Sequence, residues 1–180
     1  MHEKRFEGDI NRLRLPERVQ RLEVERVVDL CLEDSEIVTV LDGGTGTGLF
    51  AEEFSERGLT VSGVDANAEM LVAARQSVPK GDFREGVVEA LPYPDSSFDL
   101  VFLGLFLHEL DEPLKALKEA RRIARVSICI LEWPYRKQPF GPPLAHRIKP
   151  EFLYKLFRKA GFRKWEMIEL SNTVFYRLEG

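Results

Sequence analysis

The chain has 180 residues, 44% of them hydrophobic, with 26 basic and 30 acidic side chains and a net charge of −4. That length suits a single domain, which buries roughly 70% of the surface its unfolded chain exposes, and the apolar content excludes a disordered protein. The mildly acidic balance provides no strong field to draw in a polyanion, which argues against a nucleic-acid partner. No run approaches the ~20 apolar residues of a membrane span. The charged start, Met1-His2-Glu3-Lys4-Arg5, has no apolar stretch behind it, so a cytoplasmic protein is expected rather than a secreted one. Cys31 and Cys129 lie in apolar stretches and are expected as buried free thiols. Two isolated cysteines make neither a zinc pattern nor a disulfide framework.

Taken in order, residues 1–16 are polar, without clear periodicity, and are expected to form an extended or partly helical lead-in. Pro16 suits the first position of a helix running to about Leu32, with Val19, Leu22, Val27, Leu30 and Cys31 on one face. A β-branched run predicts strand 37–42, followed by helix 49–57 and strand 60–64. Asn67 is a natural N-cap for helix 68–77. Strands are predicted at 82–87 and 98–103. Asp111 is expected to cap helix 112–124, and strand 126–132 follows. Helix 150–160 ends at Gly161. The last two runs, 163–170 and 173–178, flank Ser171-Asn172 and read as a hairpin. Five strands alternating with helices predict a Rossmann-like, doubly wound α/β sheet. With the hairpin it has seven strands, mostly parallel with an antiparallel C-terminal end. One domain spans 1–180, with 1–34 as its N-terminal lead-in and helix.

Residues 38–48, Val-Thr-Val-Leu-Asp-Gly-Gly-Thr-Gly-Thr-Gly, join a buried strand to a helix through four glycines. Strand, glycine turn and helix make a nucleotide-binding geometry. A Cβ would block close approach of a ligand to such a backbone, and the helix N-terminus leaves N–H groups unpaired. The pattern alone does not choose the nucleotide. Gly46-Thr-Gly48-Leu-Phe-Ala51 fits a dinucleotide fingerprint, and Asp65 lies where an acid on ribose hydroxyls is expected. Asp42, an acid just before the glycines, and the closing hairpin speak against a dinucleotide fold.

Val40-Leu-Asp-Gly-Gly-Thr-Gly-Thr-Gly48 resembles the first motif of the class I S-adenosylmethionine-dependent methyltransferases. Val64-Asp-Ala-Asn-Ala-Glu-Met-Leu71 is similar to their second-strand motif. Glu89-Ala-Leu-Pro-Tyr-Pro-Asp-Ser-Ser-Phe-Asp-Leu-Val101 resembles the turn and fourth strand of the type 11 branch. Leu107-His-Glu-Leu110 is similar to the segment that follows, with Glu109 in place of a frequent second histidine. The resemblance covers about residues 35–133. It implies S-adenosylmethionine as cofactor, with the turn Asp42, Gly43, Gly44, Gly46 and Leu49 along its methionine and ribose. Asp42 would hold the loop or, through water, the methionine ammonium. Asp65 would accept both ribose hydroxyls. Ala66 and Met70 would flank the adenine. The family often carries an acid and a small residue where Val87 and Val88 stand; Val87 cannot accept a bond from the adenine amino group, so Glu89 or the backbone would read that edge. Leu103 would face the sulfonium.

In methyl transfer from a sulfonium the cofactor carries the activation, and a base is needed only where the acceptor keeps its proton. His108, just past strand four, is the candidate base. A histidine at a helix start also commonly just packs. Glu132 and Trp133, ending strand five, are expected to point to the ligand crevice. Residues 134–150 hold five of the ten prolines and Arg136, Lys137, Arg147 and Lys149, with no acid. This long loop is read as a lid, with Tyr135 and Phe140 along it. An anionic small-molecule acceptor would meet Arg136, Lys137 or Arg147. Arg18 is placed near the cofactor's carboxylate. No metal site is expected. Two other readings stay open: a non-catalytic S-adenosylmethionine-binding protein and an NAD(P)-binding oxidoreductase.

Overall fold

The computed structural model describes residues 10–33 and 36–179. A 3-10 helix (Ile10–Arg14) leads into α1 (Pro16–Leu22) and α2 (Val24–Leu32). Then come β1 (Thr39–Gly43), α3 (Leu49–Glu56), β2 (Thr60–Asp65), α4 (Ala68–Ser77), β3 (Asp82–Glu85) and β4 (Phe98–Gly104). The chain continues through α5 (Pro113–Ile123), β5 (Ala124–Glu132), α6 (Pro150–Ala160), β6 (Trp165–Glu169) and β7 (Val174–Glu179). The strands make one seven-stranded sheet, in the order β3-β2-β1-β4-β5-β7-β6. β1 to β5 are parallel. β7 inserts antiparallel between β5 and β6. The predicted doubly wound sheet and its C-terminal hairpin are both present.

Strand periodicity sorts the core into two layers. Val40, Leu100, Phe102, Cys129, Leu131 and Phe175 face one way, against α2, α3 and α4. Their neighbours Leu41, Val101, Leu103, Ile128, Ile130 and Tyr176 face α5 and α6. Both cysteines are buried and free, in the first layer. Sheet order reverses between β1 and β4, which leave in opposite directions to β2 and β5. A crevice at the C-terminal ends of these two strands is where open α/β sheets bind ligands.

Two local expectations are corrected. The single helix over 16–32 is two helices, broken at Glu23, which takes left-handed dihedrals (φ 51°). Neither glycine nor proline marks the break; long-range bonds hold it. Glu23 Oε2 accepts the Ser171 N–H at 2.9 Å, and the Asn172 side chain donates to the Arg21 carbonyl at 3.2 Å. The bend lets α2 pack in the core while α1 crosses the crevice. The N-cap of α5 is Glu112, not Asp111, because Pro113 begins the helix. The lead-in is a 3-10 helix over 10–14, and its expectation for residues 1–9 lies outside the described residues. The Asn67 cap is as predicted: its side chain accepts the Glu69 and Met70 N–H groups. Among the described residues no helix is long and apolar enough to cross a membrane.

Candidate active site

The glycine turn is tied down from below. Gly44 and Thr45 donate their N–H groups to the Val64 carbonyl at 2.8 and 3.1 Å. Thr45 Oγ1 donates to Asp42 Oδ2 at 2.7 Å. Burial pushes the Asp42 carboxyl up to about 7, against the pull of the Thr45 hydroxyl. Asp42 therefore holds the loop, as one of its two expected roles required. Two glycines do different work. Gly44 (φ 71°) lies under the Phe106 ring, which a Cβ would approach to 2.6 Å. Gly46 (φ 53°) has nothing within 4 Å of a Cβ position, so its backbone faces open space. Asp65 closes the turn from the end of β2. Its Oδ2 accepts the Gly46 N–H at 2.8 Å and its Oδ1 the Asn67 N–H at 2.9 Å.

That space is a cavity of about 1400 Å³. Single-ligand sites usually measure about 300–1,000 Å³, so this one has room for two molecules. Asp42, Gly44, Gly46, Leu49, Asp65 and Ala66 line it, and Met70, Val88 and Glu89 continue the wall. Val87, 42% exposed, stands at the same wall's edge. Two expected residues are not in the wall. Leu103 is fully buried on the α5 side of the sheet, and a Cβ on Gly43 would meet its Cδ2 at 2.7 Å. Leu103 and Gly43 thus pack on each other beneath the site. The wall assigned to Leu103 is made by Gly104, Leu105 and Phe106. Leu105 holds a left-handed conformation (φ 57°), fixed by its N–H bond to the Leu131 carbonyl at 2.7 Å. Such strain costs about 1–2 kcal/mol and concentrates at functional sites.

His108 lines the cavity next to this strained turn. Glu132, at the end of β5, is 3% exposed and does not enter the main cavity. Its carboxylate instead binds His108. Nδ1 lies 3.0 Å from Oε2 and 3.2 Å from Oε1. The same carboxylate accepts the His108 N–H and the Trp133 N–H, each at 3.1 Å. A carboxylate facing Nδ1 places the proton there, leaving Nε2 as the ring's acceptor. Nε2 lies on the side of Glu109, another wall residue, at 3.8 Å. Burial lowers the imidazole pKa, but the Glu132 charge and hydrogen bond outweigh it, with help from Glu109 and against Arg147, so the net shift is upward. Glu132, expected to point to the ligand crevice, is instead turned to the histidine.

The proline-rich loop does reach the cavity, through Pro139, Phe140, Gly141, Pro142, Pro143 and His146. Its cations do not behave as expected. The Arg147 guanidinium is caged by the carbonyls of Pro134, Arg136, Phe140 and Pro142 and by the Gln138 side chain. It also stacks on Trp133 at 5.6 Å. Arg147 therefore fastens the loop, and it is buried outside the lining of both cavities. Arg136 reaches the Ser171 carbonyl, and Lys149 lies on the Tyr135 ring. Arg136, Lys149 and Tyr135 border a separate cavity of about 560 Å³ behind the loop.

The roof is the N-terminal segment. Arg14 binds the Thr47 carbonyl at 2.8 Å and pairs with Glu52, fixing the 3-10 helix over the glycine turn. Arg21 lies on the Phe140 ring at 4.4 Å, fixing the far end of α1 to the proline loop. Arg12, Arg18 and Arg21 all line the cavity. Sequence reading picked out Arg18 and missed the other two, together with Phe106. For Arg21 the three-residue spacing from Arg18 was the visible signal, since it puts both on one face of α1.

Fold and site together define a class: a Rossmann-like domain of the S-adenosylmethionine-dependent methyltransferases, with an open glycine cradle and an acid at the end of β2. Residues 41–127 match the "Methyltransferase domain" model of the type 11 methyltransferases. A crystal structure of an S-adenosylmethionine-dependent methyltransferase from Aquifex aeolicus superposes with a TM-score of 0.84 at 26% identity, covering 94% of this chain and 95% of that one. The demethylmenaquinone methyltransferase of Renibacterium salmoninarum is 35% identical over 57% of this chain and 44% of its own. The malonyl-[acyl-carrier protein] O-methyltransferase of Pectobacterium atrosepticum is 36% identical over 59% of this chain and 42% of its own. The chain thus spans less than half the length of these two relatives. The family's cofactor is S-adenosylmethionine, and the residues present fit it: a backbone open to ligand at Gly46 beside a carboxylate at Asp65.

Proposed function

We propose that the protein transfers a methyl group from S-adenosylmethionine to a small-molecule acceptor bearing an anionic group, with His108 as the base. Bound cofactor supplies an electrophilic methyl on a sulfonium. The chain supplies position and charge. In this reading Asp65 accepts the ribose hydroxyls, which a carboxylate with about four lone-pair sites can do while holding Gly46. The turn from Gly44 to Leu49 follows the ribose and methionine. Ala66, Met70, Val88 and Glu89 frame the adenine, with Glu89 the side chain able to accept from its amino group. Roof and proline loop exclude water and hold the two reactants together, an effect worth about 7–11 kcal/mol in well-oriented reactions.

The observation that carries the reading is the buried Glu132–His108 pair beside a two-ligand cavity. Glu132 keeps the proton on Nδ1, so Nε2 takes the acceptor's proton as its oxygen or nitrogen attacks, and the adjacent carboxylate stabilises the imidazolium that forms. Such a base contributes about 10²–10⁴ in rate. The test is incubation of the protein with methyl-labelled S-adenosylmethionine and a small-molecule extract. Label is expected in low-mass products and is lost with His108→Gln. Binding of S-adenosylhomocysteine without any labelled product would overturn catalysis in favour of a non-catalytic binding protein; label only in protein or nucleic acid would overturn the small-molecule acceptor.

A further inference from the structure

We infer that Arg18 and Arg21 form the acceptor's anion-binding site, a pair of guanidinium groups on the cavity face of α1 that takes a carboxylate or a phosphate. The inference rests on the methyltransferase reading and names where the acceptor's charge is held. The two residues are three apart on one short helix, hence on one face, and both line the main cavity. That helix spans a gap between fixed ends. Arg14 is anchored to Thr47 and Glu52 above the glycine turn, and Arg21 to Phe140 of the proline loop. The guanidinium pair therefore lies beyond the glycine turn, on the side closed by the proline loop.

Among the described residues neither Arg18 nor Arg21 is paired with a carboxylate: Arg18 donates to the Leu13 carbonyl at 3.3 Å, and Arg21 lies on an aromatic face. Burial and the neighbouring Arg21 both work against the Arg18 cation. The cofactor brings no net negative charge to offset this cost, since its one carboxylate comes with an ammonium and a sulfonium; Arg18 is assigned to the acceptor's anion instead of that carboxylate. An acceptor carrying negative charge does offset the cost. Two guanidinium forks match the planar oxygens of a carboxylate or phosphate. Of the loop cations, Arg147 is held by backbone carbonyls, and Arg136 and Lys149 border the separate cavity behind the loop.

The test is calorimetry on the full chain saturated with S-adenosylhomocysteine, titrated separately with malonate and with inorganic phosphate. The wild type is expected to bind one of them at millimolar concentration or below; which one identifies the group. Arg21→Gln and Arg18→Gln should each weaken that anion at least tenfold, Arg21→Lys less, and Arg21→Gln should leave the affinity for S-adenosylhomocysteine within twofold. Melting temperature reports folding, and if Arg21→Gln does not fold, Arg18→Gln decides. No anion binding by the wild type, unchanged anion affinity in both glutamine variants, or an equal loss of S-adenosylhomocysteine affinity in Arg21→Gln would overturn the inference. A wild type that fails to bind S-adenosylhomocysteine would overturn the methyltransferase reading beneath it.

Discussion

The two halves of the cavity are built differently. The glycine-turn half is local: Asp42, Thr45, Gly46 and Asp65 come from one strand–turn–helix–strand unit and bond to one another directly. The far half is assembled from distant pieces. Arg21 meets Phe140, Gln138 donates to the Asn172 carbonyl, Glu23 holds the Ser171 N–H, and His108 meets Glu132 across two strand ends. The local half depends on one run of sequence, whereas the assembled half depends on contacts between loops and termini, the kind of construction that carries specificity on a fixed scaffold.

The largest expected effect breaks the far half only. His108→Gln should lower turnover about 10²–10⁴-fold while leaving S-adenosylhomocysteine affinity within a few-fold. Glu132→Gln should do so too, with a signature that mere packing does not give. In the wild type the His108 pKa lies above 6.5, so the base form and the rate grow as pH rises past that value; removing the Glu132 charge should move both the rate midpoint and the His108 titration, read by NMR, to lower pH. An unmoved titration would break the pairing.

Next, Gly46→Val should strike only the near half. Its side chain would enter the open cradle, so cofactor affinity should fall about 100-fold, with only the ~1–2 kcal/mol strain of a left-handed valine in stability. Gly44→Ala reverses the pattern. Its methyl meets the Phe106 ring at 2.6 Å, and the main loss should be in melting temperature. Equal behaviour of the two variants would contradict their assignment.

A smaller effect is expected from Arg147→Met. Removing the hub of the proline loop should raise the acceptor's KM about tenfold and speed proteolysis between Pro134 and Pro150, without changing cofactor affinity. A last effect is on stability rather than on activity and concerns Asp42. Its folded pKa of about 7 lies above the ordinary carboxylate value, so the native state holds more protons than the unfolded state between about pH 4 and 7. Stability from this group therefore falls as pH rises through that window and is flat above it. Wild type compared with Asp42→Asn should show that slope, up to about 4 kcal/mol, in denaturant titrations at successive pH values.

The same division explains what could be read from the sequence. Asn67 was legible as a cap because its partners are two and three residues away. Asp65 and the glycine turn were legible because strand, turn and helix follow in one run. Leu103 was misplaced by a matter of parity: as the neighbour of Phe102 it faces α5, and the cavity wall begins one residue later. The break at Glu23 depends on Ser171 and Asn172, and the role of Arg147 depends on carbonyls, which every residue has and no side-chain pattern reveals. Glu132 looked like a ligand-facing acid because its partner lies 24 positions away in another loop.

The central claim is that the cradle beside Asp65 holds S-adenosylmethionine. It is tested most directly by calorimetric titration of the chain with S-adenosylhomocysteine and with NAD. One-to-one binding of S-adenosylhomocysteine, lost in Gly46→Val, with no heat from NAD, is the predicted result. Saturable NAD binding with none for S-adenosylhomocysteine would contradict it.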